Sequence, residues 1–561
     1  MVMHKYLLTF IIKLIVFSYS YAQSINPQIL WATYLGSPGD DFTGYVVTDS
    51  LDNIYVSSTV ENGAPTTTGV HQTTYGGGVS DVMLSKFDKN GALLWSTYFG
   101  GTGEDANYFT IGLMSDGGIA ITGTTTSSNR IATQGAHDVS YGGGTSDVFI
   151  AVFETDGKLR WSTYFGSAGI DGEPALSIDS EDNIYLIGYT TSTTGIATSG
   201  SFQPTKSGNE DGFIAKFDKN GKLVWATYHG GQGYDAFYSV NTDQNGNVYM
   251  GGETYSSQLV TAGSFKANYG GNGDGFLAKF SKEGERLWAT YFGSGGYDGI
   301  YYMAVDGDSN IVCIGPSASP GGIASSGAFQ DKNAGKNDVF IAKFNPNGQR
   351  LWSTFFGGEE WDTTFDCDFD KDNNIYISMM SQSQDLPITE DVPGISYNGG
   401  LWDAAFVKFS KDGDLKWATY FGGDGNDRSI GITLDSEQNI IASVNSDSKG
   451  LATPGAYNET ARSNETLLVK MQDATIVSTS ELENLQALNV FPNPTSSIIQ
   501  IPNFNNEKRN IAVYNSCGDM VRRYMFTEVT EFDLSRLPNG QYYIVSDIDG
   551  KISLGKVIKV D

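Results

Sequence analysis

WSTYFGGTGED, residues 95–105, decides the reading of this chain. A run of aromatic and β-branched residues ends in paired glycines, and an aspartate stands ten positions after the tryptophan. The pattern W-[AS]-T-[YF]-x-G-[GS] begins at Trp31, Trp95, Trp161, Trp225, Trp288, Trp352 and Trp417, at intervals of 64, 66, 64, 63, 64 and 65 residues. Every copy keeps the aspartate: Asp41, Asp105, Asp171, Asp235, Asp298, Asp362 and Asp427. Self-similarity at a fixed period signals a repeat architecture, in which each unit buries its apolar faces only against its neighbours.

A second motif, D-x4-K-F, follows inside each repeat. It reads DVMLSKF at 81–87, DVFIAVF at 147–153, DGFIAKF at 211–217, DGFLAKF at 274–280, DVFIAKF at 338–344 and DAAFVKF at 403–409, with a degenerate ETLLVKM at 465–471. Between the motifs lie runs such as D-x3-N-I-Y at 49–55, 179–185 and 370–376. In the first repeat these blocks give four extended segments, 43–48, 53–60, 81–87 and 92–99, bounded by Gly, Asn and Asp. Four strands per period describe a propeller blade. The array opens with an unpaired Trp strand, 29–35, and stops at Met471 without one. The seventh blade must therefore borrow 29–35, closing the ring and removing its open edge. The fold class predicted is all-β: a seven-bladed propeller closed by its terminal strands.

These residues resemble the bacterial seven-bladed β-propeller repeat (SBBP-type) family over about 29–471. That resemblance implies a fold and an extracellular location, but no single activity. Residues 472–486 lack the pattern and read as a linker. The remaining residues, 487–561, carry PNP at 492–494, L-x-x-G-x-Y at 537–542 and the terminal KVIKV at 556–560. In that order they are similar to the type A sorting domain of type IX secretion cargo. The resemblance implies a small β-sandwich, the outer-membrane translocon as partner, and release or surface attachment afterwards.

The start of the chain suits the same route. Lys5 precedes the apolar stretch YLLTFIIKLIVF at 6–17, and Ser20-Tyr21-Ala22 sets small residues at the cleavage positions of a signal peptide, 1–22. The propeller domain then runs from 23 to 471, and no later segment reads as a membrane-spanning helix. The formal net charge of −29 repels phosphates and argues against a nucleic-acid partner. Three cysteines, Cys313, Cys367 and Cys517, make no disulfide framework. Cys313 and Cys367 read as small buried apolar residues.

Catalytic chemistry finds little footing. His71 and His137 occupy the slot of Phe202, Phe265 and Phe329, and His229 that of Phe99, Phe165, Phe292 and Phe421. Each replaces a packing aromatic. No nucleophile motif or cofactor fingerprint is present, so neither an enzyme nor a cofactor is expected. The D-x-D-x-N runs at 306–310 and 370–374 have some calcium-loop character, but hairpin turns account for them. The sevenfold aspartates recur in every blade, so a structural role serving every blade explains them best.

Departures from the repeat are where function should show. The residue before each sevenfold aspartate varies: Asp40, Glu104, Ile170, Tyr234, Tyr297, Trp361 and Asn426. Blade six adds Trp402 before its second aspartate, and carries Asp366 and Asp368 on its inner strand. The candidate ligand-binding residues are therefore Tyr234, Tyr297, Trp361, Trp402, Asp366 and Asp368. Flat aromatics beside carboxylates suit a glycan. A surface-protein partner, a structural cell-surface role and a polysaccharide hydrolase or lyase are the alternatives.

Overall fold

The computed structural model describes residues 28–106, 110–389 and 397–473, and, between 486 and 559, chiefly strands. The expected signal peptide, the linker from 474 to 485, the PNP segment and Cys517 lie outside the described residues. The described chain divides into two compact units, the first ending at Asp473.

The first unit is a ring of seven antiparallel sheets. Blade one comprises Phe42–Thr48, Ile54–Val60, Asp81–Phe87 and Leu93–Phe99, within a residue of the predicted segments. Blades two to six repeat that order, with the outer strands ending at Phe165, His229, Phe292, Phe356 and Phe421. Blade seven joins Asp427–Leu434, Ile440–Ser446 and Glu465–Gln472 to Gln28–Leu35 from the start of the chain. The two terminal strands pair antiparallel, Gln28 with Gln472 and Leu35 with Thr466, as the closure argument requires. The inner strands of blades one, three, four, six and seven carry a bulge beyond the sevenfold aspartate, for example between Phe237 and Ser239. Bulges turn side chains out of the ladder's alternation.

Each repeated block ties one blade to another. The indole N–H of Trp31 donates to Lys89 O of the next blade's outer hairpin (3.2 Å), and Trp95, Trp161, Trp225, Trp288 and Trp352 repeat the bond at 2.9–3.1 Å. Gly91 lies under the Trp31 ring with φ at 84°, and a Cβ there would meet the indole at 2.9 Å. Only glycine combines that backbone with that approach. The turn aspartates act similarly. Asp306 accepts from Asp308 N (2.9 Å) and Asn310 N (2.8 Å), and Lys343 Nζ lies 2.8 Å from its carboxylate. Asp370 does the same with Asp372, Asn374 and Lys408. The D-x-D-x-N runs are thus hairpin turns with their leading carboxylates already engaged.

The sevenfold aspartates are buried. Asp171 accepts from Ser167 N (2.8 Å), Ser192 Oγ (2.9 Å) and Thr190 Oγ1. Asp105, Asp235, Asp298, Asp362 and Asp427 form the same three-point set. In blade one the second strand ends in Val60 where the others end in a hydroxyl residue, and Asp41 takes Ser37 Oγ and N at 2.6 Å. The histidines pack as aromatics. His229 stacks on Phe202 at 5.7 Å, and burial, aided by Arg286, pulls its pKa down to about 3. Cys313 and Cys367 are buried and free.

In the second unit a five-stranded sheet pairs Lys551–Lys559, Gly540–Ile548, Arg509–Tyr514 and Met520–Phe526, with Gln486–Ala487 added in parallel. Ile498–Gln500 and Glu531–Asp533 form a separate pair. Val513, Leu534, Ile544 and Val557 are buried within this unit.

Candidate rim site on blades three to six

In each blade the connection entering the inner strand lies beside the connection leaving the second strand. Backbone bonds fix this: Tyr255 N donates to Tyr234 O (2.8 Å), Ala318 N to Tyr297 O (2.7 Å) and Gln382 N to Trp361 O (2.9 Å). The third strand's lead-in joins the same face, through Asp235 N to Glu210 O (3.1 Å) and Asp427 N to Trp402 O (2.8 Å). The variable residues of the repeat therefore collect on one rim.

On blades three to five they form a network. Tyr234 and Tyr238 hydroxyls lie 3.3 Å apart, and Tyr238 donates to Glu253 Oε1 at 3.0 Å. Tyr297 donates to Glu253 Oε2, and its hydroxyl oxygen lies 3.2 Å from Tyr301 Oη. Rings continue the cluster: Tyr189 to Tyr234 at 6.5 Å, Tyr234 to Tyr255 at 6.0 Å, Tyr238 to Tyr301 at 5.4 Å and Tyr301 to Phe365 at 6.1 Å. Glu253 is buried. Burial raises its pKa, and the phenols of Tyr297 and Tyr238 oppose that rise. Glu173 stands half-buried nearby with φ at 47°, on the bulge of blade three's inner strand. A left-handed glutamate is uncommon and concentrates at functional positions. Burial raises its pKa, and the charges of Glu253 and Glu210 add to the rise. Tyr238 also lines a cavity of about 210 Å³ bounded by Thr110, Leu176, Asn241 and Tyr302.

Of the six residues singled out from sequence, the structure links Tyr234 and Tyr297 through Tyr238 and Glu253. Trp361 takes Tyr297's position one blade on and stays 47% exposed, and Trp402 is half-buried beside blade seven's entry. Neither joins the hydrogen-bonded network among the described residues. Asp366 and Asp368 lie lower on the inner strand and grip blade seven. Asp366 accepts from Ile432 N (2.8 Å), and Asp368 from Leu434 N (2.9 Å) and Thr433 Oγ1 (3.1 Å). Tyr238, Tyr301, Glu253, Tyr189 and Glu173 were not singled out. Four of them stand at two further variable positions. Three after the aspartate come Gly44, Tyr108, Pro174, Tyr238, Tyr301, Phe365 and Ile430; near the end of strand two come Thr59, Thr124, Tyr189, Glu253, Pro316, Met380 and Asn445. Among the described residues no three histidine, cysteine or acidic side chains converge as a metal site.

Residues 489–560 match the secretion system C-terminal sorting domain family. The match marks the chain for the type IX secretion machinery and export to the cell surface or extracellular space. The chain is 25% identical over 366 residues to an uncharacterized WD repeat-containing protein, L264, of Acanthamoeba polyphaga mimivirus, covering 54% of this chain and 26% of that protein. It is 25% identical over 304 residues to the regulatory protein FlaEY of Caulobacter vibrioides, covering 51% and 31%. It thus spans about a quarter to a third of these curated relatives. Among solved structures, a polysaccharide lyase of family PL25, an ulvan lyase, aligns with a TM-score of 0.40 at 10% identity, covering 82% of this chain and 98% of that chain. A protein of unknown function from Dyadobacter fermentans aligns at 0.35 and 11%, covering 80% and 99%. Fold and tail together define an exported seven-bladed β-propeller with a type IX sorting domain. No described helix is long and apolar enough to cross a membrane.

Proposed function

We propose that this protein is a non-catalytic, cofactor-free binding module that takes glycans on the rim of blades three to six. The observation that supports this reading most is the gathering of Tyr234, Tyr238, Tyr255, Tyr297, Tyr301 and Trp361 on one side of the ring, with carboxylates among them. Blade seven and blade one fill the same positions with Asn426, Asn445, Asp40 and Thr59. Trp361 at 47% and Tyr255 at 43% exposed offer open rings. Sugar C–H faces stack on such rings, and carboxylates accept hydroxyl protons. A rigid scaffold carrying variable loops is where binding sites concentrate.

The test is a glycan and polysaccharide array probed with the full chain, with and without calcium. Selective retention without product formation is expected, with at least about tenfold weaker binding in Trp361→Ala. A blank array would overturn the reading in favour of a protein partner or a structural role. Ligand cleavage would overturn it in favour of an enzyme.

A further inference from the structure

This propeller has a recurrent way of using a tyrosine beside a carboxylate. Lys86 Nζ lies 4.8 Å over the Tyr55 ring and 3.8 Å from Asp49. Lys216 does so with Tyr185 and Asp179 (4.9 and 3.7 Å), Lys279 with Tyr249 and Asp243 (4.7 and 3.4 Å), and Lys408 with Tyr376 and Asp370 (4.5 and 3.2 Å). In all four an ammonium is held jointly by a π-face and an anion. The rim cluster supplies the same two parts without the third. Tyr238 and Tyr297 donate to Glu253, a Cβ at Gly172 beside Glu173 would meet Tyr189 Oη at 3.2 Å, and the charge of Glu173 bears on Tyr189 and Tyr234, yet no lysine or arginine pairs with either carboxylate among the described residues. Glu253 has both oxygens fixed by phenols, which orient its charge without cancelling it. Glu173 has no hydrogen-bond partner among the described residues.

We infer that the cation missing from this cluster is brought by the ligand: the rim binds a protonated amine, and the glycan class it selects is the amino sugar with a free amino group. The inference rests on the glycan-binding reading and sharpens it. Glu173 is the charge partner, Tyr189 and Tyr234 supply the ring faces, and Glu253 holds a second negative charge beneath them. An N-acetylated sugar keeps the shape and the hydroxyls but loses the charge.

The experiment is calorimetric titration of the full chain with the β-1,4-linked glucosamine disaccharide and, separately, with its fully N-acetylated counterpart, at physiological ionic strength. The free-amine sugar is expected to bind at least about tenfold more tightly. Glu173→Gln should reduce it to the level of the acetylated sugar, while the exposed Glu437→Gln leaves it unchanged. Should Glu173→Gln fail to fold, Glu210→Gln tests the same charge field from the neighbouring lead-in. Equal binding of both sugars, or array binding confined to neutral glycans, overturns the inference and leaves the glycan reading standing. Free-amine binding that survives both substitutions also overturns it, as attraction to a net-acidic surface alone. Failure of both sugars together with a blank array removes the glycan reading itself.

Discussion

Trp361 and Lys343 illustrate two kinds of residue in this ring. Trp361 is half-exposed and stands where other blades have Ile170 or Asn426, so the fold asks nothing of its indole. Trp361→Ala should leave the thermal midpoint within about 1 °C of the parent, as surface changes usually do, while weakening glycan retention. Scanning calorimetry beside the array checks both halves of that statement. Lys343 is the reverse case. Its ammonium sits 2.8 Å from Asp306, with side chains 5% and 0% exposed. Lys343→Met would leave a buried carboxylate without its cation, a loss of about 3 kcal/mol, measurable by denaturant titration. The sequence showed the first kind of residue well, because a departure from a repeat is visible without coordinates. It showed Tyr234, Tyr297 and Trp361, but not Glu173. Nothing in the letters Gly172-Glu173-Pro174 reveals a bulge that turns a glutamate toward the rim.

At the scale of strands and blades, the second repeat aspartate carries the most consequence. Asp81 is fully buried, accepts Gly76 N (2.5 Å) on one oxygen and has its other oxygen unpartnered. Asp147, Asp274, Asp338 and Asp403 share that unpartnered oxygen, as does Glu465 in blade seven. Burial raises the pKa of Asp81, Asp147, Asp338, Asp403 and Glu465 to about 7, with the next blade's aspartate (Asp105, Asp171, Asp362, Asp427 and Asp41) adding to the rise. The sign follows from linkage: a carboxyl whose folded pKa is raised favours the neutral form. Its contribution is complete below the unfolded value near 3.8 and is lost as pH climbs from there through about 7. The thermal midpoint should therefore fall between pH 5 and pH 8, and Asp81→Asn, neutral at both, should flatten its share by about 2 °C. A midpoint that rises over that interval would refute the assignment. The strands themselves were legible almost residue for residue, since the repeat fixes their spacing seven times over. The pairing of carboxylates across blades was not, because it joins residues 24 positions apart, or 424 apart for Glu465 and Asp41, that only the ring brings together.

For the whole molecule, the pairing of Gln28–Leu35 with Glu465–Gln472 is what makes a ring from an array. Deleting residues 28–35 would expose Glu465–Gln472 as a bare edge and remove the Trp31 bond to Lys89. The expected result is a lower unfolding midpoint and concentration-dependent association through that edge, read by light scattering. A synthetic 28–35 peptide supplied in trans should reverse both. Closure also imposes an order in time. The strand that locks the seventh blade is made before any of the blades, yet its partner is among the last propeller segments to be synthesised. Contacts between residues 28 and 472 demand a loop spanning nearly the entire unit, the costliest kind to form and the slowest to find. A chain still in passage across a membrane holds its first segment without a mate. It closes into a ring only once both ends have arrived in the same compartment.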